Sequence, residues 1–534
     1  MSTATVSSGA FGAMRRDRTA TRDRAYTPST MLYAKRPARR GWTAWRGLAL
    51  GATVVLGATV VAPFADAQPA LNLEDCRLDG VSVPARCGSL PVHEDRLVRD
   101  GRTIDLKIVV IPAVSDSPEP DPLFFLAGGP GQAATALAGP MLPLLAEVRR
   151  TRDLVFVDQR GTGGSGRMTC AFFESEVDEQ QLGESLQVES LPLDDLRECL
   201  AEVETVADPR RYTTPVAMDD LDDVRAALGY ETLNLYGGSY GTRAGLVYMR
   251  RHPERVRTAV LDGLAPVSMR LPLSINADAH RALDRLFDDC ADDANCREAF
   301  PDLAQTFARL IAELEASPLE IDTMHPRTGE PLKLTLTGAS FAGGLRGVLY
   351  SPTLASLVPW TIARAAEGDF APYLAQIVPL LDSGEVLNLG MFFSVICAED
   401  VSQIADGDAA RRAADGILGR LLIDMTASAC TIWPAADLPA AYFEPVRSDA
   451  PALLLSGALD PVTPPRWGEE VLAGLSNARH VVAPGAGHGV IARGCADAVV
   501  AEFIETGSHA DLDVSCLERI RRPPFLLSAA GTDP

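Results

Sequence analysis

Three residue types that together can open an acyl bond stand in this sequence at positions suited to the work: Ser239, Asp460 and His488. A serine hydroxyl is a weak nucleophile. It needs an imidazole to take its proton, and the imidazole needs a carboxylate to fix its tautomer and balance its charge. Ser239 is the centre of Gly237-Gly238-Ser239-Tyr240-Gly241, a G-x-S-x-G pattern. A strand-to-helix turn this sharp holds its central residue in a strained backbone and needs small neighbours. The helix that follows points its free N–H groups at any charge developing there. The pattern alone recurs by chance and also suits a plain Gly-rich turn. Its flanks give it weight: Leu233 and Leu235 alternate as in a short buried strand, and Ala244, Leu246, Val247 and Met249 recur at helical spacing.

The chain has seven histidines, and His488 alone sits in a Gly-rich loop after a late apolar strand. His252, before Pro253, reads as a helix cap, and His480 reads as exposed at a strand start. Asp460 follows the preceding strand, which gives the order Ser239, Asp460, His488, that of the α/β-hydrolase fold. Asp262 and Asp158, also at strand ends, compete for the acid. A tetrahedral oxyanion needs two N–H donors, one from the residue after the nucleophile and one from an early strand-end loop. Tyr240 supplies the first. Gly128-Gly129-Pro130-Gly131 supplies the second through Gly129, because Pro130 has no N–H. Asp158 and Arg160 read as braces beneath the loops.

These residues need a scaffold. Apolar runs at Arg102–Ala113, Leu123–Ala127, Asp153–Asp158, Leu233–Gly237, Thr258–Asp262, Ala452–Ser456 and Arg479–Ala483 read as strands, and 68–100 reads as loop-rich. Helical spacing lies between many of them, as over Met218–Leu228, Pro465–Leu475 and Cys495–Glu505. The alternation predicts an α/β fold, a mostly parallel sheet covered by helices on both faces. Functional loops then lie at the carboxyl ends of the strands, where every Gly-rich loop above falls. From Pro266 the rhythm changes to helices at Asp278–Cys290, Leu303–Glu315 and Leu357–Ala366, with one strand-like piece at Pro331–Leu336. The expected organisation is an export signal at 1–67, a hydrolase core at 68–266, an inserted, mainly helical lid at 267–440, and the core's C-terminal part at 441–534.

Residues 1–67 carry a net charge of +7 within a chain of −22, which leaves about −29 on the rest. So acidic a body excludes nucleic acid as a partner, because phosphates are repelled. It favours solubility and cationic ligands. Basic residues up to Arg46 precede an apolar run, Gly47–Ala62, and then Ala65-Asp66-Ala67, a small-x-small cleavage site. This predicts a secretory signal with Gln68 as the first mature residue, and a protein that is periplasmic or extracellular. Met31 as the true start would shorten the basic region, and Arg39-Arg40 admits a twin-arginine signal although the residues after it fit poorly. The Gly-interrupted run is short for a membrane anchor, so no stable insertion is expected after cleavage. Ten cysteines agree with an oxidising compartment, and pairing of neighbours (76–87, 170–199, 290–296, 397–430, 495–516) is the simplest expectation. None forms a C-x-x-C pair, so no metal site is expected, and acyl transfer by a serine needs no cofactor.

Ala127-Gly-Gly-Pro-Gly-Gln132, Asp158-Gln-Arg-Gly-Thr-Gly163 and Gly237-Gly-Ser-Tyr-Gly-Thr242 together resemble the prolyl iminopeptidase family of serine peptidases. Ser456-Gly-Ala-Leu-Asp-Pro-Val-Thr-Pro464 and Gly485-Ala-Gly-His-Gly489 resemble its secreted branch, the tripeptidyl aminopeptidases. Ala127 departs from the pattern, which usually has His there, and leaves open how the oxyanion loop is braced. The resemblance implies hydrolysis of peptides from a free N-terminus, whose ammonium group needs an acidic partner. Cys397-Ala-Glu-Asp400 resembles the place where the family presents acidic residues, so Glu399, and second Asp400, are expected to hold it. Two rivals stay open. An exported esterase or lipase would use the same triad and differ in not requiring a free amine; a non-catalytic binding protein would not keep a full triad. Haloperoxidase-like side activity, oligomeric state and residue preference are not set by these motifs.

Overall fold

Short apolar runs ended by Gly, Pro or Asp become the strands of one sheet. The computed structural model describes residues 71–169, 192–325, 328–381, 387–405 and 421–532, with Gly407 and Gly416. The expected export signal, Cys170 and short parts of the expected lid lie outside the described residues. The strands are β1 (Glu74–Cys76), β2 (Ala85–His93), β3 (Thr103–Ile111), β4 (Leu123–Leu126), β5 (Leu154–Val157), β6 (Leu233–Gly238), β7 (Val256–Asp262), β8 (Leu319–Met324), β9 (Pro331–Leu336), β10 (Ala452–Gly457) and β11 (Ala478–Ala483). The main sheet runs β1-β2-β3-β5-β4-β6-β7-β10-β11. From β5 to β11 every neighbouring pair is parallel; β1, β2 and β3 add antiparallel pairs at one edge.

This is the expected mostly parallel α/β sheet, with one correction. Residues 68–100 are not merely loop-rich: they carry β1 and β2. Gly88 and Pro91 inside β2 break the alternation that marks a strand; β1 pairs with β2 only over Ala85–Cys87, so past that point β2 is bonded on its β3 side alone, which tolerates both. The central strands show why so few residues suffice. Phe124 and Phe125 point to opposite faces, and each falls in a different hydrophobic cluster. Helices α1 (Leu193–Val206), α2 (Thr214–Ala227), α3 (Tyr240–Arg251) and, late in the chain, Pro465–Leu472 and Ala496–Thr506 cover those faces.

Between Asp262 and Ala452 no described residue joins the main sheet. That stretch forms α4 (Leu273–Asp292), α5 (Leu303–Ala316), α6 (Gly338–Leu349), α7 (Val358–Ala366), α8 (Ala371–Leu381), α9 (Leu389–Glu399) and α10 (Leu421–Cys430). The hairpin β8–β9 stands apart from the sheet, so the isolated piece at Pro331–Leu336 does find a partner. Phe341, Leu345, Ile362 and Tyr373 centre a cluster of their own. Disulfides join Cys76 to Cys87, Cys290 to Cys296, Cys397 to Cys430, and Cys495 to Cys516, each a neighbour pair. Cys199 is also disulfide-bonded, and the expected partner Cys170 is outside the described residues.

Candidate active site

Ser239 stands between β6 and α3 with φ 56° and ψ −125°, the strained turn its neighbours allow. A Cβ on Gly237 would lie 2.4 Å from the Gly241 carbonyl oxygen, and one on Gly241 would lie 2.2 Å from that of Leu126. Only glycine fits at either place. The turn is pinned from β7: the Ser239 N–H donates to the Asp262 carbonyl at 2.9 Å. The Thr242 hydroxyl donates to the Ser239 carbonyl at 2.6 Å, and accepts from the Ala265 N–H at 2.8 Å.

His488 follows β11, and its Nδ1 lies 2.8 Å from Oδ2 of Asp460. Asp460 is buried and accepts the N–H groups of Val462 and Thr463 and, at 2.7 Å, the Thr463 hydroxyl. Burial alone would raise its carboxyl; the facing His488 and the bonds from Thr463 overcome this and hold it below the usual range. With Nδ1 donating to Asp460, Nε2 is the nitrogen that accepts a proton. Both loops meet at the end of β7. A Cβ on Gly263 would lie 3.3 Å from Cε1 of His488, one residue beyond the carbonyl that holds Ser239. The structure therefore gathers Ser239, Asp460 and His488 around one strand end.

The competing acids have other work. The Asp262 carboxylate accepts the N–H groups of Val490 and Ile491 and the Tyr236 hydroxyl, fixing the chain just past His488. Asp158 accepts from Thr135 and the Gly164 N–H, and Arg160 meets Asp220 at 2.6 Å, so both are the expected loop braces. His252 caps α3 as expected and lies 3.1 Å from Asp219. His480 is only part-exposed, and its Nε2 lies 2.9 Å from the Ser456 hydroxyl.

The Gly128–Gln132 loop leaves β4 and packs on the nucleophile: a Cβ on Gly128 would lie 3.3 Å from Cβ of Ser239. Gly129 has φ 107°, which a side chain would not accept. Tyr240 opens α3, and its hydroxyl lies 2.7 Å from that of Thr214. The donors expected of Gly129 and Tyr240 thus flank Ser239.

Glu399 and Asp400, expected to hold a substrate amine, already have internal partners in the structure. Both are fully buried at the end of α9 and committed to internal partners. Asp400 forms two bonds with Arg243, at 2.9 and 3.0 Å, and accepts the Leu271 N–H. Glu399 accepts the Thr214 N–H at 2.7 Å, the Thr214 hydroxyl at 2.8 Å and the Tyr442 hydroxyl. Neither presents a free carboxylate. Burial also pushes the Glu399 carboxyl up, against the pull of Arg243, Tyr442 and Thr214. Thr214, Arg243, Tyr442, Thr463, Tyr350, whose carbonyl accepts the His488 N–H at 3.1 Å, and Asn388 at the oxyanion loop were not found from sequence. Only Thr463, three residues past Asp460, carried a local signal: it lies within the quoted Asp460-Pro-Val-Thr463 motif. Among the described residues no cluster of His, Cys, Asp and Glu could hold a metal ion.

Comparison with known proteins agrees with this fold. Residues 121–318 match the family described as alpha/beta hydrolase fold, and residues 416–516 match the family described as TAP-like protein. Serine protease Hip1 of Mycobacterium tuberculosis is 27% identical over 522 residues, covering 88% of this chain and 97% of that protein. A tripeptidyl aminopeptidase of Streptomyces lividans is 28% identical over 271 residues, 48% of this chain and 49% of its own length. A proline iminopeptidase of Neisseria gonorrhoeae is 30% identical over 151 residues, 28% of this chain and 34% of its own.

Proposed function

We propose that this chain, an enzyme of the α/β-hydrolase fold with a TAP-like C-terminal segment, is an exported serine aminopeptidase that releases residues or short peptides from a free N-terminus. The observation that carries the chemistry is the Asp460–His488 bond, 2.8 Å long, beside a serine held at φ 56°. The names of the relatives, two of them aminopeptidases or iminopeptidases, favour peptide over ester. Disulfides and the basic, apolar N-terminal run favour export. No helix of the described residues is long and apolar enough to cross a membrane.

In this reading Oγ of Ser239 attacks the scissile carbonyl as its proton passes to Nε2 of His488. The oxyanion forms against the N–H groups of Gly129 and Tyr240. His488 then hands the proton to the departing amine, the C–N bond breaks, and the acyl group stays on Ser239. Water repeats the sequence through His488, frees the acid and restores the serine. Asp460 remains ionised throughout and balances the imidazolium.

The test compares short peptides bearing Pro or Ala near a free or acetylated N-terminus, with Ser239→Ala alongside. Free peptides are cleaved, acetylated ones are not, and the variant loses about 10⁴-fold or more. Activity falls below about pH 6–7 as His488 is protonated. Indifference to acetylation, or turnover of esters alone, transfers the assignment to an exported esterase with the same triad.

A further inference from the structure

The oxyanion loop lacks the residue that braces it in the resembling family, since Ala127 stands there, yet it is held firmly from another side. Asn388, immediately before α9, donates twice to the Gly131 carbonyl: its backbone N–H at 3.0 Å and its side-chain Nδ2 at 2.8 Å. A carbonyl oxygen has two lone pairs, and Asn388 occupies both. The contact is buried, with Asn388 only 2% exposed. It is also close: a Cβ on Gly131 would lie 2.9 Å from the Asn388 carbonyl oxygen, and one on Gly129 would lie 3.1 Å from Cδ2 of Leu387. The amide is oriented by its donor side, because its Oδ1 has no hydrogen-bond partner among the described residues. Turned over, that oxygen would face the Gly131 oxygen and repel it.

The other end of the same helix reaches the second donor. Glu399 holds the backbone and hydroxyl of Thr214, and the Thr214 hydroxyl lies 2.7 Å from that of Tyr240. Residues far apart in sequence thus tie α9, a rod of roughly 16 Å at about 1.5 Å per residue, to the Gly131 carbonyl at one end and, through Thr214, to the Tyr240 hydroxyl at the other. We propose that Asn388 is a positioning residue for the oxyanion hole, and that α9 is the strut fixing the Gly129 donor relative to the Tyr240 donor. The inference rests on Ser239 acyl transfer as proposed above, but not on the choice of peptide over ester. Its consequence is specific. Loosening Asn388 weakens binding of the tetrahedral state more than binding of substrate, because donors misplaced by a fraction of an ångström still permit ground-state contact.

The test measures KM and the inhibition constant of a peptidyl aldehyde, whose adduct with Ser239 places an oxyanion in the hole. The variants are Asn388→Asp, which removes both side-chain donors, and Asn388→Ala. Neither constant depends on how much of a variant folds, so partial misfolding does not blur the reading. The aldehyde constant is expected to rise tenfold or more in both variants while KM moves less than about threefold, and kcat falls in parallel with the aldehyde constant. Equal changes in the two constants, or none, overturn the positioning role. An aldehyde that fails to inhibit the wild-type enzyme overturns the Ser239 reading itself, and this inference with it.

Discussion

Asp460 and Glu399 are both fully buried carboxyls, and burial decides the state of only one of them. His488 and three donors hold the Asp460 carboxyl below the usual range; burial pushes Glu399 above it, against the pull of Arg243 at 3.7 Å. The two have opposite signs in stability. The lowered group stabilises above its unfolded value, near 3.9, and loses that as pH falls through its folded value. The raised group does the reverse: the folded state keeps the proton longer, so stability falls as pH rises from its unfolded value, near 4.3. Glu399→Gln removes that second dependence. Its melting temperature relative to wild type should therefore improve as pH rises from about 4 to 7. The same variant should retain the preference for free over acetylated peptides, because Glu399 is spent on Thr214 and Tyr442. Loss of that preference in the variant would return Glu399 to the role of amine ligand.

At the scale of elements, the strand ends were legible and the cross-links between them were not. The Ser239 turn, the Gly128 loop and the His488 loop are written locally, as a glycine cluster after an apolar run, so a window of ten residues finds them. The pairs Gly131–Asn388, Thr214–Glu399 and Arg243–Asp400 join segments 257, 185 and 157 residues apart. Nothing in any window says that Asn388 faces a carbonyl or that Asp400 faces a guanidinium. The acidic pair after Cys397 could be singled out from sequence, but not its internal partners Thr214, Tyr442 and Arg243. Arg243 and Asp400 are 1% and 0% exposed, so each needs the other. Removing one partner leaves a bare buried charge, which costs about 3–5 kcal/mol. Arg243→Met and Asp400→Asn should each lower the denaturation midpoint accordingly. The double variant should recover much of the loss, and a double variant as unstable as the sum of the two would show that the pair is not coupled.

At the scale of the molecule, charge distinguishes the proposed substrate from its rivals. Beyond the basic first 67 residues the chain carries about −29, while a peptide with a free N-terminus and an amidated C-terminus arrives as a cation. The two acidic residues singled out from sequence are buried, so for the proposed substrate the summed field of the other carboxylates is the source of attraction to test. Such a field is screened over about 10 Å at 0.1 M salt and about 3 Å at 1 M, whereas contacts inside a closed pocket are screened far less. Raising salt from about 0.02 to 0.5 M should therefore lower kcat/KM for a cationic peptide several-fold, chiefly through association. A neutral ester cleaved by the same Ser239 should change less than about twofold over that range. Acetylated controls keep peptide length fixed while removing the positive end. If the cationic peptide and the ester respond alike, long-range charge has no part in substrate choice, and the amine must be read by a contact within the site.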